Sequence, residues 1–214
     1  MSLLILRPGT HYEVVATFYV ENNTPWATPL GITILDDKHF RIRLFRGSKT
    51  FNYLTKGIDI AINIITDIEK FLITALKRYF PNWNKMLKFG KAKFVNAPIL
   101  EDSNAIVEAC CEHIIEKDEY AFAFYKIVNI EVRKVPIEPP CRAFNHMLDI
   151  VIYLTKIGHV SQNEVRKLLL DIEDSINIIT RTCSSDYCKN ILREIEHILR
   201  QVKPSYLDQD KSTS

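Results

Sequence analysis

From His11 to Val20 an apolar side chain falls on every second position: Tyr12, Val14, Ala16, Phe18 and Val20. That is the period of a strand with one buried face. The run Glu21-Asn22-Asn23-Thr24-Pro25 predicts a turn, residues 26–35 a second strand, and Asp36-Asp37 another turn. His39 to Phe45 alternates again, with Phe40, Ile42 and Leu44 on one side and Arg41 and Arg43 on the other. Ser48 then suits an N-cap, Phe51 and Leu54 share a face, and Gly57 stands where a left-handed C-cap belongs, so a short helix follows. Residues 58–65 place Ile58, Ile60, Ile62 and Ile64 on one side of a strand. Thr66 and Glu69 have the spacing of a capping box, opening a helix through Phe71, Leu72, Ala75, Leu76 and Tyr79 that Pro81 stops. After an irregular stretch, residues 106–115 and 120–132 predict two more strands joined by Glu116-Lys117-Asp118-Glu119. A helix over 105–115 competes with the first of these.

Pro136, Pro139 and Pro140 mark a boundary, beyond which the period changes from two to that of a helix. Helices are expected over 142–157, 161–182 and 185–202, with Gly158 as a C-cap and Ser161 with Glu164 as a second capping box. The resulting division is a strand-rich domain over 8–135, a helical domain over 141–203 and a disordered polar tail over 204–214. The fold class is α+β.

Composition narrows the chemistry. The 214 residues are 47% hydrophobic and 25% charged, an ordinary globular balance. A net charge of +2 gives no basic stripe for a nucleic acid or a membrane surface. No apolar run approaches the ~20 residues that span a bilayer. The first seven residues lack the basic region and cleavage site of a signal peptide, so a cytoplasmic protein is expected. The cysteines Cys110, Cys111, Cys141, Cys183 and Cys188 show no paired-ligand spacing, and reduced thiols are the expectation. Cys183 and Cys188 flank a tight polar turn. The six histidines show no HxH or HExxH spacing, so no metal site is expected.

The chemically informative stretch is 24–63. Pro29 interrupts a strand-like segment, where it donates no ladder hydrogen bond, and Gly31 follows. A bulge or edge there would leave backbone groups for a flat polar ring. Downstream, Arg43-Leu44-Phe45-Arg46-Gly47-Ser48-Lys49-Thr50 gathers arginines, a lysine and hydroxyls at the start of a helix. Free amides and charge-assisted hydrogen bonds would make a phosphate cradle there. The same residues also describe a capped, solvated corner. Tyr12, Trp26, Tyr53 and Trp83 are candidates for stacking, or simply core. Asp67 and Glu69 are candidate proton donors that helix capping explains equally well.

Read together, Tyr12-Glu13-Val14-Val15-Ala16-Thr17, Ala27-Thr28-Pro29-Leu30-Gly31-Ile32, the 43–50 segment and Ala61-Ile62-Asn63 resemble an archaeal DUF447-type family. That family lies in the FMN-binding split-barrel group, with the flavin reductase-like and pyridoxamine phosphate oxidase-like proteins. Phe144-Asn145 extends the resemblance into the helices. The resemblance implies an antiparallel split β-barrel with flanking helices and a helical bundle after it. It also implies a homodimer with FMN near the subunit interface, and an oxidoreductase or else a non-enzymatic flavin or phosphate-ligand carrier or sensor. By the same resemblance Ser48, Lys49 and Thr50, in the loop of Phe45, Arg46 and Gly47, would meet the phosphate, with Arg43 or Arg46 adding charge. Thr28, Pro29, Leu30 and Gly31 would present backbone to the isoalloxazine ring, and Asn63 would lie near the cofactor. The chain departs from the pattern at Trp26, where Asn is usual, and at Arg46, where an acid is common. It departs again at Tyr53, where related reductases have Asn, and at His146, where the helical motif has Arg.

Overall fold

A computed structural model describes residues 6, 8, 9, 11–133, 142–183 and 185–207, with side chains to 202. The prolines at 136, 139 and 140, Cys141 and residues 208–214 lie outside the described residues. By internal contacts the chain forms two compact units, Met1–Lys70 with Asn82–Ile137, and Phe71–Pro81 with Glu138–Ser214. The sequence division kept 71–81 in the strand-rich domain. Reading boundaries along the chain assigns such an excursion to whatever surrounds it.

The first unit is a closed antiparallel barrel. Its strands are β1 (His11–Val20), β2 (Thr24–Ile34), β3 (His39–Phe45), β4 (Ile60–Ile64), β7 (Ala105–Glu116) and β8 (Tyr120–Val132), in the order β1-β2-β3-β8-β7-β4, with β4 closing on β1. The alternation read from the sequence is the alternation of burial: Phe40, Ile42 and Leu44 from β3 meet Ala121, Ala123 and Tyr125 from β8 inside. Phe40 and Tyr125 stack at 5.5 Å, 10° from parallel. The segment 105–116 is a strand, not a helix. Its inner residues Ala105, Val107 and Ala109 are buried, and bulges at Glu108/Ala109 and Cys111/His113 bend it.

Two details differ from expectation. The helix at 66 is capped by Asp67, whose Oδ1 accepts the Glu69 N–H at 3.0 Å, whereas the Thr66 hydroxyl reaches Asn104. It is α2 (Ile68–Ala75), shorter than predicted, followed by a 3-10 turn at Lys77–Tyr79. The irregular stretch holds α3 (Trp83–Met86) and a hairpin of β5 (Phe89–Lys91) and β6 (Pro98–Leu100).

The second unit carries α4 (Arg142–Lys156), α5 (Gln162–Thr182) and α6 (Asp186–Leu207). Met147, Ile150, Val151 and Leu154 form the buried stripe of α4, and Val165, Leu169, Ile172 and Ile179 that of α5. The Ser161–Glu164 capping box is present, and Gly158 is left-handed at φ +96°. The last helix passes Pro204, where the sequence began its tail, and runs to Leu207. Cys183 and Cys188 are joined as a disulfide, which corrects the expectation of reduced thiols for this pair. Cys183 caps α5 and Cys188 lies in the first turn of α6, so the two helix ends set the sulfurs together. No described helix is long and apolar enough to cross a membrane.

Candidate functional site

The barrel ladder has a gap, and the nominated segments flank it. Strand β2 pairs with β1 over its whole length, from His11↔Thr33 to Val20↔Thr24. With β3 it pairs only at Ile32↔Ile42, Thr33↔Arg41 and Ile34↔Phe40. Continued by one register step at a time, that ladder would set Arg43, Leu44 and Phe45 opposite Gly31, Leu30 and Pro29. It stops instead, and among the described residues no second strand pairs with residues 24–31. Pro29 has no N–H to offer a neighbour, which is one local reason for the split. Thr28, Pro29, Leu30 and Gly31 therefore line one side and the 43–50 corner continues from the other. Gly31 lies against the His11 ring, which would have to move to admit a Cβ there.

The corner is built by a tight turn into α1 (Lys49–Leu54). Gly47 has φ +83° and nothing within 4 Å of where a Cβ would sit, so the turn needs glycine for its backbone alone. The Ser48 hydroxyl donates to the Phe45 carbonyl at 2.9 Å and accepts from the Phe51 N–H at 3.0 Å. The helix has six residues, ends at a Thr55 cap, and reaches Gly57 only through a further left-handed turn, φ +72°. Its first amides, those of Lys49 and Thr50, precede the first intrahelical bond.

The nominated side chains have unequal freedom. Lys49 reaches across the gap, its ammonium 5.2 Å from the centre of the Trp26 ring on β2. Arg43 lies over the rings of Tyr120 at 4.1 Å and Phe45 at 5.0 Å. Arg46 is engaged elsewhere: it pairs with Glu116 at 2.6 Å and donates to the Lys117 carbonyl, fastening the corner to the β7–β8 turn.

Asn63 is fully buried and saturated. Its Nδ2 donates to the Val15 carbonyl (3.0 Å), Thr17 Oγ1 (2.9 Å) and the Ala61 carbonyl (3.3 Å). Its Oδ1 accepts from the Leu100 N–H at 2.7 Å and the Ser103 hydroxyl at 3.2 Å. Thr17 donates in turn to the Pro98 carbonyl at 2.6 Å. Two polar positions of the sequence pattern thus meet on the outer face of β1 and β4, opposite the barrel interior, and tie the β5–β6 hairpin to that face.

Two features at the gap were not legible beforehand. Trp83 on α3 meets Trp26 edge-on at 5.3 Å, and Phe89 meets Trp83 at 6.4 Å, an aromatic wall beside Lys49. Tyr53 donates a hydrogen bond to the Glu21 carboxylate. That bond lowers the Glu21 pKa, aided by Lys56 and Lys49, and raises that of Tyr53. Glu108 was missed altogether. This buried carboxylate on β7 accepts the Phe94 and Val95 amides at 2.6 and 3.3 Å, and the Asn129 amide at 2.9 Å, holding the hairpin tip. No spacing in the sequence signals a single strand carboxylate that binds a loop backbone.

The molecule thus combines an antiparallel barrel, split between β2 and β3, with a basic, hydroxyl-rich corner at the split. Residues 12–134 match the family described as "Protein of unknown function (DUF447) N-terminal domain". The chain belongs to the DUF447 family. A crystal structure of an FMN-bound DUF447 protein from Methanosarcina mazei matches with a TM-score of 0.72 at 21% identity, covering 90% of this chain and 96% of that one. The likeness therefore runs through barrel and helices alike. The flavin reductase HpaC, solved in complex with NADP+, shares the barrel at a TM-score of 0.50 and 16% identity, over 60% of this chain and 83% of its own. A nitrilotriacetate monooxygenase component B homolog from Mycobacterium thermoresistibile gives 0.50 and 13%, over 62% and 74%. No curated protein matches this DUF447 chain in sequence. Among the described residues, no three His, Cys, Asp or Glu side chains gather as metal ligands.

Proposed function

We propose that this chain binds FMN at the split between β2 and β3–α1 and works as a cytoplasmic, homodimeric FMN-dependent oxidoreductase. The observation that carries the reading is the ladder gap, with the unpaired edge of 24–31 on one side and the 43–50 corner continuing from the other. A flavin ring wants backbone donors and acceptors at close range, and a phosphate wants cations and free amides. The split offers both. Lys49, Thr50 and Arg43 would hold the phosphate, together with the amides that open α1. Ser48 keeps its hydroxyl in the cap, and Arg46 fixes the turn through Glu116. Thr28, Pro29, Leu30 and Gly31 would face the ring, and Asn63 would brace the neighbouring strand β1 through Val15 and Thr17. When bound, the flavin supplies the hydride and electron chemistry. The FMN carried by the Methanosarcina mazei relative supports the choice of cofactor.

The test is a visible spectrum of purified protein before and after FMN addition and desalting. A retained two-band flavin spectrum is expected, bleached by NADH or NADPH. Colourless protein would overturn the reading. Retained flavin that no donor reduces would leave a carrier or sensor in place of an enzyme. The double variant Lys49→Ala/Thr50→Ala is expected to lose FMN while keeping its circular dichroism, and normal FMN uptake by it would move the phosphate elsewhere.

A further inference from the structure

The small net charge of the chain conceals a one-sided stretch. Residues 82–100 carry Lys85, Lys88, Lys91 and Lys93 and not one Asp or Glu, twice the net charge of the whole chain. They form α3, β5, β6 and the hairpin loop, all within the barrel unit. Lys93 pairs with Glu131 at 2.7 Å. Lys85, Lys88 and Lys91 are exposed and, among the described residues, have no ion-pair partner. The Glu101 amide donates to the Lys88 carbonyl at 3.0 Å, yet the two side chains make no ion pair. The hairpin loop is held stiffly. Val95 and Ala97 pack against Ala61 and Ile106 on the outer face of the barrel, and Glu108 accepts the Phe94 and Val95 amides. Phe94 is left 66% exposed, and Met86 on α3 is 48% exposed. A buried carboxylate is costly unless such bonds satisfy it, and here they fix a loop that displays a bare aromatic ring. Apolar anchors among free cations are the anatomy of a docking surface with an apolar centre and a charged rim.

We infer that the α3–β5–β6 surface docks an acidic electron-carrier protein that delivers electrons to the flavin. The inference rests on the flavin reading of the split, and it names the donor class. Phe89 meets Trp83, Trp83 meets Trp26, and Lys49 lies over Trp26, a continuous row from the hairpin to the flavin corner. Each encounter would oxidise one reduced carrier by one electron. Two encounters, with two protons from water, complete the reduction of the flavin. Charge and anatomy favour an acidic protein over a nucleic acid. All four cations are lysines, compact point charges that steer an acidic surface inward without gripping it in one geometry. Brief electron-transfer complexes bury under about 1,200 Å², and three free lysines with Phe94 and Met86 suit that size. A nucleic-acid strand needs open ring faces for stacking, whereas Trp83 and Phe89 already engage each other and Trp26.

Calorimetric titration of the full chain, with and without FMN, by an acidic plant-type ferredoxin at about 20 and about 500 mM salt tests the docking. Binding on the order of micromolar is expected at low salt, weakened about tenfold or more at high salt. Lys88→Glu/Lys91→Glu and Phe94→Ser are each expected to weaken it about tenfold, with circular dichroism and flavin absorbance unchanged. Lys38→Glu, an exposed lysine in the β2–β3 turn, should bind as the wild type does. Should the double glutamate variant fail to fold, the neutral Lys88→Gln/Lys91→Gln is expected to weaken binding about threefold. Electron delivery is read separately. Photochemically reduced ferredoxin should bleach the flavin about tenfold more slowly in the glutamate variant, whereas dithionite bleaches both alike. No binding at low salt, or binding indifferent to Lys88, Lys91 and Phe94, would overturn the inference. So would an oligothymidylate or anionic vesicles binding where ferredoxin does not, and so would ferredoxin that binds without bleaching the flavin. A chain that binds ferredoxin in this pattern but holds no flavin loses the cofactor reading and keeps the docking surface.

Discussion

Asn63 shows how one residue can be conspicuous in a sequence while its partners in the fold stay hidden. Its place in a strand of isoleucines marks it as special, and proximity to a cofactor is the natural guess. The fold gives it five partners between the outer face of the barrel and the β6 segment that covers it, and no open valence. A buried amide is satisfied by groups far away in sequence, at Val15 and Leu100, and such partners are invisible until the strands are paired. Asn63→Ala is therefore expected to cost ~2–4 kcal/mol, because it strands a buried amide donor and carbonyls. Urea denaturation would read this as a lower midpoint at unchanged slope. Tyr125 carries a second expectation at this scale. Burial pushes its phenol pKa far above the usual value. A raised folded-state pKa means stability fully present below pH ~10 and lost as pH rises through the folded value. Ultraviolet titration should find one tyrosine that ionises only as the barrel unfolds. Burial likewise raises the Cys110 and Cys111 thiols, with Asp59 adding to it, so both should react with a disulfide reagent at pH 8 more slowly than a free thiol.

At the scale of elements, local signals were read well wherever they are local. The strand β3 and the caps at Ser48 and Ser161 are legible because periodicity and capping act within a few residues. The cap went to Asp67 because both neighbours are competent and the Thr66 hydroxyl is directed to Asn104, a partner distant in sequence. The β5–β6 hairpin has three residues per strand, too short for a period, and Glu108 and Asn63 hold it from elsewhere. Ser48→Ala should lower stability by about 1 kcal/mol through the lost cap. If the hydroxyl only caps, that variant keeps FMN affinity once stability is allowed for, in contrast to Lys49→Ala/Thr50→Ala. Equilibrium dialysis on both variants compares them directly. The Cys183–Cys188 bridge, five residues apart, should add about 2 kcal/mol by the chain-entropy estimate. Thermal melts with and without dithiothreitol would show the loss, and Cys188→Ala should be insensitive to the reductant.

For the whole molecule, strand content was legible and strand order was not. Alternation says that a segment has one buried face, but pairing His39 with Lys126 across most of the barrel is a decision of the closed sheet. The split has the same origin. Pro29 and Gly31 suggest an interrupted edge, yet only the order β1-β2-β3-β8-β7-β4 shows that the interruption faces the 43–50 corner. A ligand seated there would touch groups that exist together only in the folded chain, so it binds the native state and not the unfolded one. Binding must then raise stability by mass action, about 2.7 kcal/mol at a free FMN concentration one hundred times Kd. Urea melts at graded FMN should move to higher midpoints, and the shift should vanish in Lys49→Ala/Thr50→Ala. Riboflavin, which has the ring without the phosphate, separates the two halves of the site. If the corner around Lys49 holds a phosphate, riboflavin shifts the midpoint far less than FMN at equal concentration. Equal shifts would mean that the β2 edge binds the ring alone and that the basic corner is only the capped start of α1.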